Sequence, residues 1–291
     1  QGRMELSPVA GLTACYLPEL YEAETYVCRR ILSMADGEYL EPGRIDDLVA
    51  EIEDRQEIDY APEQRSAIRA AASRQLLIVT GGPGTGKTTV LSGILRRFDA
   101  LKLKTQLAAP TGRAAKRLSE VTGREASTIH RLLEAQFDEA TGRMAFFHDE
   151  DAPLSCDAMI VDETSMVDLQ LMASLLKALK PGCRLLLVGD PDQLPPVGAG
   201  NVFSDLIRSG VVQTIRLTEI FRQAQRSLIV MNAHAVNQGE LPRLTATDRD
   251  FFFLRRRDPA AAVRTIQELC QTRLPKNMGI APADIQVLSP S

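Results

Sequence analysis

The sequence predicts an α/β fold, a parallel sheet with helices on its faces, and three observations carry that expectation. From Gln75 onward, short apolar runs alternate with helical patterns, as strand–helix–strand units do. The glycine-rich stretch Gly81-Gly82-Pro83-Gly84-Thr85-Gly86-Lys87-Thr88 directly follows one such run, Gln75-Leu76-Leu77-Ile78-Val79-Thr80. Two further runs end on polar groups, Asp162-Glu163 and Gly189-Asp190-Pro191-Asp192-Gln193.

Taken in order, residues 1–59 read as a small N-terminal helical region. Glu19–Met34 carries Leu20, Ala23, Val27 and Ile31 at helical spacing, and Arg44–Arg55 is a shorter amphipathic piece. Gly37 and Pro42-Gly43 separate them. Strands follow at Gln75–Thr80, Thr105–Ala109, Ala158–Val161, Arg184–Val188 and Thr214–Leu217. Residues 136–153 interrupt the alternation. There, Thr141-Gly142 between Phe137 and Met144-Ala145-Phe146-Phe147 reads as the turn of an inserted β-hairpin. Near the end, Asp258–Leu274 reads as an amphipathic helix and Ile285–Leu288 as a strand opening a second sheet.

Composition excludes several classes. The 291 residues are 44% hydrophobic, enough for one large or two ordinary domains with cores. No apolar stretch approaches the roughly 18 residues that span a bilayer, and the start lacks a basic-then-apolar leader. A cytoplasmic protein with no membrane contact is expected. Cys15, Cys28, Cys156, Cys183 and Cys270 show no C-x-x-C spacing, and an odd count suits reduced, buried thiols. His130, His148 and His234 are too scattered for a metal site. A net charge of -4 excludes a generally basic surface, so nucleic-acid contact must use local patches.

The glycine stretch suits phosphate. Its backbone N–H groups can converge on an anion, a helix N-terminus adds its positive dipole end, and Lys87 can reach the β and γ oxygens. Thr88 is placed to hold Mg²⁺ through its hydroxyl. An Asp-Glu pair alone is an ordinary solvated helix start. Behind a strand and downstream of a phosphate loop, Asp162 suits a metal and Glu163 the water that attacks a phosphoryl group. At the third strand end, Gln193 is the candidate to touch the γ-phosphate, while Gly-Asp-Pro and Pro-Pro equally well build only a rigid turn.

Together, Gly81–Thr89, Ala109-Pro110-Thr111-Gly112-Arg113-Ala114-Ala115, Thr128-Ile129-His130-Arg131-Leu132-Leu133, Val161-Asp162-Glu163, Val188–Pro195 and Leu217-Thr218-Glu219-Ile220-Phe221-Arg222-Gln223 resemble superfamily 1 DNA helicases. Within them the chain looks most like the RecD-like branch, whose members move 5′ to 3′ on single-stranded DNA. The resemblance covers roughly residues 60–291. It implies a first RecA-like P-loop ATPase domain over 60–250, with the 136–153 hairpin as a pin or wedge that splits strands at a duplex junction. Residues 251–291 then start a second RecA-like domain, incomplete here. Gln64 is placed beside adenine, and Gly82, Pro83, Gly84, Thr85, Gly86, Lys87, Thr88 and Thr89 around the phosphates. Thr88 and Asp162 hold Mg²⁺, Glu163 takes the water, and Gln193 and Arg222 meet the γ-phosphate. ATP and Mg²⁺ are thus the implied cofactors. The later motifs have no counterpart before Ser291, so the chain as written is expected to bind nucleotide, hydrolyse it weakly and not unwind processively.

Single-stranded DNA and duplex junctions are the implied partners; members of the branch occur both alone and inside multi-subunit nucleases, so either action alone or with subunits of a recombination or repair complex is open. Pro110, Thr111, Gly112, Arg113 and Lys116 form one candidate DNA segment and Thr128, His130 and Arg131 a second. Arg113, Lys116 and Arg117 fall on one helical face, the two threonines offer hydroxyls to phosphate oxygens, and Phe146, Phe147 and His148 are candidate exposed rings or equally the hairpin's packing face. If the hairpin only separates strands, deleting Asp138–Asp149 spares DNA-stimulated hydrolysis and abolishes unwinding. Two other classes fit the same phosphate site. A P-loop ATPase acting on a non-nucleic-acid partner gives no response to single-stranded DNA, and an ATP-binding regulatory subunit tolerates Glu163→Gln.

Overall fold

Three helices surround the start of the sheet. The computed structural model describes residues 4–9, 11–40, 45–56, 58–138, 143–245 and 250–289. Strands β1 (Glu5–Val9) and β2 (Leu12–Tyr16) form an antiparallel hairpin closed at Val9↔Leu12, which the helical reading of residues 1–59 did not include. Its signal is slight: neither strand alternates cleanly, and the turn is marked only by Gly11, whose φ of 81° a residue with Cβ rarely adopts. Helices α1 (Pro18–Ala35), α2 (Ile45–Gln56) and α3 (Pro62–Ser73) follow.

The chain then alternates through β3 (Leu76–Gly81), α4 (Lys87–Ala100), β4 (Thr105–Ala109), α5 (Gly112–Thr122), β5 (Ala126–Thr128) and α6 (Ile129–Leu132). A small hairpin, β6 (Ala135–Asp138) and β7 (Arg143–Phe146), is inserted before β8 (Ala158–Val161), α7 (Leu169–Ala178), β9 (Arg184–Gly189), α8 (Val202–Ser209) and β10 (Thr214–Leu217). The expected turn at Thr141-Gly142 lies outside the described residues. Helices α9 (Arg222–Gln225), α10 (Leu228–Asn237), α11 (Pro259–Glu268) and α12 (Leu274–Met278) complete the order.

Six strands form one parallel sheet in the order β10–β3–β9–β8–β4–β5. All five expected strands of this sheet are present; β5 adds a sixth, only three residues long and without an apolar run. Side chains alternate between two cores. Leu76, Ile78, Met159, Val161, Leu185 and Leu187 face residues of α1, α7 and α8, whereas Leu77, Val79, Ile160, Leu186 and Val188 face α2, α3, α4 and α5. Burial on both faces is why these strands read as continuous apolar runs. Each such side chain contributes about 1.5–3 kcal/mol by leaving water. The early helices belong to this architecture, since Val27, Ile31 and Met34 of α1 and Val49 and Ile52 of α2 are part of the cores.

Two expectations change. The predicted strand Ile285–Leu288 is absent: a 3-10 turn at Pro282–Asp284 leads into irregular chain, with Val287 and Leu288 exposed. A strand needs a partner for its N–H and C=O groups, and among the described residues none pairs with this segment. Buried thiols hold only for Cys156 and Cys183; Cys15 and Cys28 are exposed.

Candidate nucleotide and DNA site

Parallel packing sends the ends of β3, β9 and β8 to one edge of the sheet, and the polar segments meet there. After β3 the loop closes on itself through Thr85, whose buried hydroxyl donates to the Gly82 carbonyl at 2.9 Å. Gly84 and Gly86 have φ of 76° and 81°, in the left-handed region that favours glycine. The first intrahelical bond of α4 runs from Val90 N–H to the Gly86 carbonyl at 3.0 Å. The N–H groups of Lys87, Thr88 and Thr89 therefore lack helical partners and leave a positive pole beside the loop. Lys87 Nζ donates back to the carbonyls of Gly81 at 2.5 Å and Gly82 at 3.2 Å.

The acids lie across the same opening. Asp162 is tied to β4 by its N–H, which donates to the Ala108 carbonyl at 2.9 Å. Glu163 turns in the left-handed region at φ 51°, and its Oε2 is buried without a partner. Burial pushes the Asp162 carboxyl above its ordinary value and the Glu163 charge adds to this, while the Glu163 N–H bond, Lys87 and Arg117 oppose it. Burial likewise lowers Lys87, against the pull of Asp190, Glu163 and Asp162. Buried Asp190 accepts from Asp192 N–H at 3.1 Å through Oδ1 and from Gln193 N–H at 3.2 Å through its carbonyl, which shapes the loop behind β9.

A cavity of about 1960 Å³ opens between these loops. It is lined by Gln64, by Gly82 through Thr89, and by Asp162, Glu163, Asp190 and Gln193. Arg222 begins α9 beside Phe221, which lines the cavity, and its side chain lies outside the described residues. Gln64 is buried, with Oε1 accepting from Ala61 N–H at 3.0 Å and Nε2 3.5 Å from the Gly86 carbonyl. It thus braces α3 against the phosphate loop. Mg²⁺ fits the donor set: the oxygens of Thr88 and Asp162 are hard ligands, and the unpartnered Glu163 oxygen marks a cradle short of positive charge.

The DNA candidates gather at the neighbouring strand ends. Register pairs Ala109 with Thr128, so the loops after β4 and β5 lie side by side. Thr111 Oγ1 accepts from Ala114 N–H at 3.2 Å and Thr128 Oγ1 from Arg131 N–H at 3.1 Å, so each caps a helix and keeps its own proton to donate. Pro110 and Gly112 flank Thr111, and His130 and Arg131 are exposed beside Thr128. The three exposed basic side chains of α5 make different contacts. Arg113 donates to Gln286 Oε1 at 2.7 Å, Lys116 stands 3.9 Å from Glu120, and Arg117 lines the cavity. The rings also divide: Phe146 packs against the core and lies 6.0 Å from the His130 ring, Phe147 is exposed, and His148 Nδ1 is 2.7 Å from the Ala152 carbonyl oxygen.

Arg117, Phe221 and His234 were not expected at the cavity. Both Phe221 and His234 come from the segment after β10; Phe221 lies in the motif Leu217–Gln223 that carries Arg222, whereas no local pattern signals His234.

Residues 64–199 match the family described as an AAA domain. The chain is 41% identical over 227 residues to the ATP-dependent RecD2 DNA helicase of Deinococcus radiodurans, covering 78% of this chain and 30% of that protein. The chain belongs to the RecD-like branch of the superfamily 1 helicases. Within that branch it is also 34% identical over 280 residues to the RecBCD enzyme subunit RecD of Mycobacterium tuberculosis, covering 86% of this chain and 47% of that one. The chain thus spans less than half the length of these RecD-like relatives. Among solved structures, the Pif1 helicase from Candida albicans aligns over 66% of this chain and 50% of its own at 24% identity, with a TM-score of 0.46.

Proposed function

We propose that the chain is the ATP-binding part of a DNA helicase motor that couples hydrolysis to 5′ to 3′ movement on single-stranded DNA. The observation that carries this reading is the meeting of the phosphate loop, Asp162-Glu163 and the Asp190–Gln193 loop on one cavity, beside the threonine-capped ends of β4 and β5. In this reading the N–H groups of residues 84–89 and the Lys87 ammonium hold the triphosphate, and Gln64 braces the loop near the base. Thr88 and Asp162 hold Mg²⁺, which when bound offsets charge on the β and γ oxygens. Glu163 accepts the proton of the attacking water, and its unpartnered buried oxygen suits that task. Gln193 and Arg222 contact the γ-phosphate and report its loss.

Single-stranded DNA runs over Pro110–Arg113, Lys116, Thr128, His130 and Arg131, and the 136–153 hairpin meets the duplex junction. Residues 251–291 begin a second RecA-like domain, and the intact motor serves recombination or repair, in the cytoplasm, alone or with other subunits. The test is ATP hydrolysis, with and without oligothymidine, by the polypeptide carrying both motor domains. A rate raised severalfold by oligothymidine supports the reading. An unchanged rate points to an ATPase with another partner and overturns it.

A further inference from the structure

Helix α10 lies across the phosphate loop. His234 Nε2 is 2.9 Å from the Pro83 carbonyl oxygen; a carbonyl only accepts, so the bond requires the proton on Nε2. The ring is so close that a Cβ built on Gly82 would stand 2.7 Å from its Cε1. The segment before it closes on the loop as well: Phe221 N–H donates to the Gly84 carbonyl at 3.3 Å, and a Cβ on Gly84 would stand 2.5 Å from that of Ala224. Three residues beyond His234, Asn237 Nδ2 donates to Asp192 Oδ2 at 2.7 Å. That acceptor belongs to the other loop, whose Asp190 and Gln193 line the cavity.

The helix is itself held in place. Ser227 Oγ accepts from Val230 N–H at 3.2 Å, Asp250 accepts from Leu228 N–H at 2.7 Å, and Asn232 exchanges two hydrogen bonds with the Arg243 backbone at 3.1 and 2.8 Å. One rigid element therefore grips both loops that flank the phosphates. Because a peptide unit is planar and trans, fixing the Pro83 carbonyl on His234 aims the Gly84 N–H away from α10. Without that bond the peptide can rotate and withdraw an amide from the anion.

We infer that His234 is a positioning residue of the phosphate loop, and that with Asn237 on Asp192 it makes α10 a brace that sets the spacing between that loop and the one carrying Gln193. The inference rests on the nucleotide-binding reading of the cavity. It separates two effects: His234 governs binding of any phosphate tail, whereas Asn237 governs the preference for a third phosphate.

The test uses the whole chain and a fluorescent N-methylanthraniloyl-ADP probe displaced by ADP or ATP, with thermal melting of each variant. His234→Leu should weaken both nucleotides about tenfold, and His234→Gln, which keeps an N–H donor at similar reach, should stay within about threefold of the parent. Asn237→Ala should leave ADP unchanged and weaken ATP about fivefold. Melting temperatures close to the parent separate positioning from collapse of the fold. Parent-like binding by His234→Leu overturns the inference and leaves the cavity reading intact, as does equal loss in the Leu and Gln variants. Equal effects of Asn237→Ala on ADP and ATP overturn the brace. A parent chain that binds neither nucleotide overturns the cavity reading itself.

Discussion

The backbone N–H of Glu163 donates to Asp162 Oδ1 at 2.9 Å, holding adjacent acids in different attitudes. Asp162 spends one carboxylate oxygen locally, while Glu163, in the left-handed region at φ 51°, keeps one buried oxygen without a partner. Strain and unmet polarity at one residue are what a functional site stores.

Asp162 should oppose stability in the unliganded chain. Its carboxyl is raised by burial, which outweighs the Glu163 N–H bond that favours the charged form, so the folded state holds the proton more tightly than the unfolded one. Its contribution to stability is then lost as pH rises from the ordinary aspartate range through the raised value. Asp162→Asn removes that loss. Urea denaturation should show the variant more stable than the parent at pH 7, with the difference shrinking towards about pH 4, while its Mg·ATP affinity falls. A difference independent of pH would count against the buried carboxylate as its source.

Glu163→Gln keeps size and backbone while removing the base. Nucleotide affinity should stay within about threefold of the parent, and the hydrolysis rate of the two-domain motor should fall at least about a hundredfold. Titration with a fluorescent nucleotide and a single-turnover assay measure the two separately. Hydrolysis at the parent rate would exclude Glu163 as the base.

The hairpin rings should part company. Phe146 packs on the core, so Phe146→Ala should cost about 1–3 kcal/mol of stability. Phe147 is exposed, so Phe147→Ala should change stability by less than about 0.5 kcal/mol while weakening oligothymidine binding severalfold through lost stacking. Denaturation and fluorescence anisotropy read both. The deletion Asp138–Asp149 is a poorer probe of strand separation, because it removes the core-packed Phe146 along with the exposed Phe147.

The sheet and the phosphate loop were legible because their signals are local. Leu76–Val79 and Leu185–Val188 are buried on both faces and read as unbroken apolar runs, and the glycines at 84 and 86 sit where φ is positive. Strand β5 was too short to carry a period, and the β1–β2 hairpin too irregular. Ile285–Leu288 has a strand's composition without a neighbour, and composition cannot supply one. The spacing of Arg113, Lys116 and Arg117 gives a shared direction, but only the packed position of α5 shows that Arg117 also lines the cavity. His234 reaches the loop across more than a hundred residues of chain, a relation that only packing reveals.

The central claim is that the cavity at the ends of β3, β8 and β9 grips a triphosphate through Lys87. Calorimetric titration of the chain with Mg·ATP, beside Lys87→Ala, tests it most directly. Saturable one-to-one binding by the parent, weakened at least about tenfold in the variant, is the result predicted. Equal affinity in both chains, or no binding by the parent, would contradict it.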